Sequence, residues 1–106
     1  MKKISLLLAV IFIFAGAQII EAAEFRVTQG GRQFSPKKLD IKVGDTIVFV
    51  NDDKFTHTTY SRTKKHKFNL GSQKPGVDMK YTFSKAGKIK IRCAIHPKMK
   101  LAVNVK

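Results

Sequence analysis

The sequence predicts an all-β domain, a small sandwich or barrel of about seven or eight strands. Three observations carry that expectation. Beyond residue 23, polar and apolar residues alternate in short segments, the period of half-buried strands. Turn-forming residues recur at short intervals: Gly30-Gly31, Gly44-Asp45, Asn51-Asp52-Asp53, Gly71, Pro75-Gly76 and Gly87. No stretch after the opening segment carries a helical period.

That opening segment is a separate element. Lys2 and Lys3 precede a run from Ile4 to Ala17 that is almost wholly apolar. The run has the length of a signal-peptide core and falls short of the ~20 residues of a membrane span. Residues 1–23 therefore read as a helical secretory signal, with cleavage after Ala17, Ala22 or Ala23. Ile19-Ile20 lengthen the apolar run, so an uncleaved anchor is the alternative; no nearby cysteine could carry a lipid. The domain proper is 24–106.

Within it, Phe25 and Val27 alternate in the first segment, and Leu39, Ile41 and Val43 in the next, which stops at Gly44-Asp45. Ile47 to Val50 is continuously apolar, as in a central strand. Val77, Met79, Tyr81 and Phe83 share a face, with Met79 expected in the core. After the Ala86-Gly87 turn, Ile89, Ile91 and Cys93 share the next inward face, with Lys88, Lys90 and Arg92 opposite. Val103 and Val105 close the chain. The basic run Arg62 to Lys67 reads as a solvated loop or strand edge, with His66 a titrating surface group.

The chain carries a formal charge of +14; residues 1–23 hold Lys2, Lys3 and Glu21, so the domain alone carries +13. Export and the absence of a recognition-helix pattern argue against nucleic acid, and the lysines are spread along the chain. Charge then points to an acidic partner or an anionic surface. A domain of roughly 83 residues is near the size at which one core only just suffices. Small exported domains usually add disulfides or a metal, and a single cysteine cannot close a disulfide.

That cysteine lies in Cys93-Ala-Ile-His96-Pro-Lys-Met99. A strand ending at Cys93 and turning through His96-Pro97 can fold thiolate, imidazole and thioether around one point, and Pro97 stiffens the turn. This soft, mixed donor set suits copper better than calcium or magnesium, and two His, one Cys and a weak axial Met make an electron-transfer copper site. The second histidine is His57 or His66. His66 sits among Lys64, Lys65 and Lys67, which would repel a cation; His57 follows the central strand and is the better candidate. The competing readings are a buried structural thiol, a Cys–His nucleophile, which needs oxyanion donors that an inward thiol lacks, and zinc, for which a thioether is a poor ligand.

At this point the chain resembles the cupredoxins, the blue-copper family of plastocyanin, pseudoazurin and amicyanin. FSPKKLDIKVGDTIVFVND (34–52) is similar to the family's strand, Gly-Asp turn, strand and Asn, with His57 spaced as its first ligand. PGVDMKYTFSKAGKIKIRCAIHPKM (75–99) is similar to its final strands and ligand loop, whose short spacings resemble those of amicyanin. The resemblance implies a Greek-key fold and one type 1 copper. It assigns His57, Cys93 and His96 as equatorial ligands and Met99 as the axial ligand, with Asn51 pinning the ligand loops by hydrogen bonding. Two departures stand out: the family often has Gly soon after the axial Met, where this chain has Lys100-Leu101-Ala102, and Lys98 and Lys100 make the rim of the site basic.

The expected function is that of a periplasmic, or otherwise exported, monomeric one-electron carrier rather than an enzyme. It would dock briefly on an acidic redox protein, a cytochrome or dehydrogenase, and neither bind nucleic acid nor stay in the membrane after signal cleavage. A copper-delivery protein without a redox role is the alternative.

Overall fold

The computed structural model of the chain describes residues 21–106. The first 20 residues, and with them nearly all of the expected signal, lie outside that range. The described residues form nine strands and no helix. They are β1 (Glu24–Gly30), β2 (Gln33–Ser35), β3 (Lys38–Ile41), β4 (Thr46–Asn51), β5 (Thr59–Ser61), β6 (Phe68–Asn69), β7 (Asp78–Thr82), β8 (Gly87–Cys93) and β9 (Lys100–Val105). One sheet has the order β2-β1-β4-β7 and the other β3-β9-β8-β5-β6. The all-β expectation holds, with more strands than the seven or eight expected. β2, β5 and β6 have three, three and two residues, too few to display a period of two.

Inward side chains of both sheets make the core. Val27, Ile47 and Phe49 face Ile89, Ile91, Cys93, Leu101, Val103 and Val105, all buried. At one edge Phe68 of β6 stacks on Tyr81 of β7 with ring centroids 4.0 Å apart, joining the two sheets. Two expectations fail here. Met79 is only half-buried and stands outside the core cluster, and Val77 is exposed, because β7 is the edge strand of its sheet and Val77 precedes it. His66 is buried rather than a surface group: the loop it occupies is solvated as expected, yet its ring turns inward and Nε2 lies 3.2 Å from the carbonyl of Ala86.

The crossover between sheets matters for the site. β4 belongs to the first sheet and β5 to the second, so residues 52–58 cross the end of the sandwich. β5 pairs antiparallel with β8, Thr59 opposite Cys93. The crossover and the loop after β8 are thus brought to one end of the barrel. Among the described residues no helix is long and apolar enough to cross a membrane.

Candidate metal centre

Cys93 is the last residue of β8 and faces inward with Ile89 and Ile91, 1% exposed. Its Sγ accepts a hydrogen bond from the amide of Thr58 at 3.3 Å. Just before that amide, His57 is fully buried and exchanges backbone hydrogen bonds with Gln73 at 3.0 and 2.7 Å. His96, in the turn after β8, is half-buried. Nδ1 of His57 lies 3.5 Å from Sγ of Cys93, Nδ1 of His96 lies 3.8 Å from it, and the two Nδ1 atoms are 3.2 Å apart. One donor atom from each residue falls within 4.8 Å of the others.

These separations suit an ion at the centre. Metal bonds of about 2.0–2.1 Å to nitrogen and 2.3 Å to sulfur put donor atoms roughly 3.3–3.7 Å apart in tetrahedral or trigonal arrays. The triangle of two nitrogens and a sulfur is close to that size without rearrangement. Met99 is 1% exposed, and its amide bonds to the carbonyl of His96 at 3.0 Å, which closes the turn carrying both side chains. Leu101, which stands near the position where the family often has Gly, is simply a core residue of β9. His66 sits at the beginning of β8, about 20 Å along the strand from Cys93.

Asn51, the last residue of β4, is buried and ties three backbone groups together. Its Nδ2 donates to the carbonyls of Phe55 and Gln73, each at 2.9 Å, and its Oδ1 accepts from the amide of Asp53 at 2.9 Å. The crossover is thereby fixed to the segment that pairs with His57. Beneath it, Gln73 Nε2 donates to the carbonyls of Phe49 and Val77, and Gln29 Nε2 donates to Gln73 Oε1 at 2.9 Å.

Sequence reasoning missed Asp53, which it took as turn chemistry. Its Oδ2 lies 2.7 Å from Nε2 of His57, and its two oxygens also accept from the amides of Gly31 and Arg32 at 2.7 and 3.1 Å. Burial raises the Asp53 carboxyl, but the bond from His57 and the amides of Arg32 and Gly31 outweigh it and hold the group below its ordinary value. A carboxylate only accepts, so Nε2 of His57 carries the proton and Nδ1 is left to face Cys93. His96 is held below the ordinary histidine value first by burial, then by the nearby charges of His57 and Arg32, against a weaker opposing pull from Asp53.

The family model for copper-binding proteins of the plastocyanin/azurin family matches residues 21–106. The chain is a cupredoxin. It is 32% identical over 85 residues to the methylamine utilization protein MauL of Methylorubrum extorquens, an alignment covering 79% of this chain and 75% of that protein. The cupredoxin also superposes on the Cu-containing nitrite reductase NirK of Thermus scotoductus with a TM-score of 0.73 and 31% identity. That match takes in 86% of this chain but 24% of the reductase, so the cupredoxin spans about a quarter of the enzyme's length. A reduced variant of amicyanin matches with a TM-score of 0.72 at 23% identity, over 84% of this chain and 87% of amicyanin, and shares its fold. Copper is the metal of this cupredoxin, and the His57–Cys93–His96 group fits a single type 1 site.

Proposed function

We propose that the chain is an exported one-electron carrier. Nδ1 of His57, Sγ of Cys93 and Nδ1 of His96 would hold the metal, with the buried Met99 thioether as a further, weaker donor. The observation that most supports this is the convergence of those three donor atoms to within 4.8 Å. When bound, copper supplies a one-electron couple between Cu(II) and Cu(I). The chain's own part is to keep the donors still. Cys93 is fixed by β8 and by the Thr58 amide, His57 by Gln73 and Asp53, and the crossover by Asn51. Such partners orient the ligands and set their basicity.

His96 is the half-exposed ligand, and its ring edge is the route by which an electron leaves. The reading involves no substrate and no bond-making step, and the likeness to nitrite reductase extends to only a quarter of that enzyme. Burial of His57, Cys93 and Met99 favours retention of the metal over ready exchange, and hence a carrier over a delivery protein. A groove beside His96 is lined by Arg32, Lys37, Lys98 and Lys100. Those cations suit brief docking of an acidic redox protein, a cytochrome or dehydrogenase, which raises the encounter rate more than affinity. Export to the periplasm rests on the N-terminal segment acting as a signal cleaved after Ala17, Ala22 or Ala23.

Loading with Cu(II) tests the proposal. The wild-type chain turns intensely coloured through thiolate-to-copper charge transfer and bleaches reversibly on reduction. Cys93→Ser abolishes the colour and His66→Ala leaves it intact. A wild type that stays colourless overturns the proposal, and a His66→Ala variant that fails to colour with Cu(II) overturns the ligand set.

A further inference from the structure

Asp53 occupies a position that the ligand set alone does not require. It stands four residues before His57, only 8% of its side chain is exposed, and its Oδ2 is 2.7 Å from Nε2 of His57. The same carboxylate reaches out of the crossover to the tip of the β1–β2 hairpin, where Gly31 and Arg32 are the two loop residues between Gly30 and Gln33. Both have positive φ, 60° and 57°, the backbone of a type I′ turn. For Arg32 that conformation costs roughly 1–2 kcal/mol relative to an ordinary one. It directs two consecutive amides at one carboxylate. The Arg32 side chain then lies over the ring of Phe55, 5.0 Å from its centroid, and Phe55 in turn lies against His57 and His96, with centroids 6.0 and 5.5 Å away. Hairpin tip, carboxylate, ligand and aromatic cover thus form one connected cluster around the metal centre.

We propose that Asp53 is a positioning residue that selects between the oxidation states of the bound metal: its negative charge, passed through the Nε2–H of His57, favours Cu(II) over Cu(I). The inference rests on the reading of His57 as a ligand. Two effects follow from the geometry. The hydrogen bond fixes the His57 ring with Nδ1 toward Cys93 and His96, so the ring does not rotate when the charge at the centre changes. The carboxylate also makes the imidazole a stronger donor, which benefits the more highly charged ion more. Of the ligand histidines, only His57 has this connection among the described contacts; His96 has no carboxylate partner.

Asp53→Asn tests the charge. Asparagine can keep one oxygen toward His57 and the Arg32 amide, while the exposed Gly31 amide turns to water. Mutation of such a partner typically costs 10–100-fold in metal affinity. If at least the tenfold part falls on Cu(II) alone, the reduction potential rises by 59 mV or more, the value of a tenfold change for one electron. Asp53→Glu, which keeps the charge, stays nearer the wild-type potential than Asp53→Asn. A potential for Asp53→Asn within a twofold affinity ratio of wild type overturns the proposal, as does a lowered one. A measurement on the wild type guards against a variant that fails to fold. In the diamagnetic Cu(I) protein, NMR shows a slowly exchanging proton on Nε2 of His57; a proton absent there, or found on Nδ1, overturns the proposal. Failure of the wild type to bind copper removes the underlying reading and this inference with it. A coloured wild type with an unmoved Asp53→Asn potential removes this inference alone.

Discussion

Asp45 shows how a single carboxylate can govern acid stability in so basic a chain. It is 5% exposed, just ahead of β4, and accepts from the amides of Ala23 at 2.9 Å and Lys42 at 2.8 Å. Those two amides, with help from the Lys42 charge and against burial, hold it below the ordinary carboxylate value of 3.8. A depressed folded value means that the stabilisation is full above the ordinary range and disappears as pH falls through the lower folded value. Asp45→Asn is therefore less stable than wild type at pH 7, since its amide turns a donor toward a backbone donor, and the gap narrows below about pH 4 as the wild type gains its proton. Thermal unfolding of the metal-free proteins between pH 3 and 7 reads this directly, and a gap that stays constant overturns it.

At the scale of elements, the long strands were legible and the short ones were not. β4, β8 and β9 carry runs or alternations that declare both their period and their inward face, so Cys93 could be placed before any coordinates. β5 exists because β8 offers it a partner, and β6 because β5 does, which no local pattern announces. For the site, Cys93, His96, Met99, His57 and Asn51 were nameable from spacing and family resemblance. Asp53 and Gln73 were not, because their roles depend on how the crossover turns. Gln29 did leave a signal: it stands on the Val27 face of β1, a polar residue at an inward position. His66 misled because its lysine neighbours describe the loop and not the direction of its ring. The first strand also extends further than its alternation suggests. Ala23, before β1, donates to Asp45, and its carbonyl accepts from Thr46 at 3.0 Å. A chain starting at Glu24 loses both bonds and melts below one starting at Glu21. Equal melting temperatures contradict that accounting.

For the whole molecule the sign of the charge matters more than the position of any one lysine. The domain's formal charge of +13 accompanies a site whose half-exposed ligand is flanked by Arg32, Lys98 and Lys100. Electron exchange with an anionic outer-sphere reagent such as hexacyanoferrate is accordingly fast at low salt and slows as the Debye length contracts below about 10 Å, while a cationic reagent shows the reverse dependence. Lys98→Gln reduces the salt slope more than Lys88→Gln, since Lys88, the second residue of β8, stands at the end remote from His96. Stopped-flow rates across a salt series decide the matter, and equal slopes for the two variants count against a docking face at His96. The sheet order has a further consequence, in time rather than in space. β3 is an edge strand whose partner in its sheet is β9, and the two are parallel, with Lys38 opposite Ala102. A chain emerging from its N-terminus must hold β3 unpaired until residues 100–105 arrive, because no nearer segment can take their place. The second sheet is therefore the last to close, after β2, β1, β4 and β7 of the first are all available to pair.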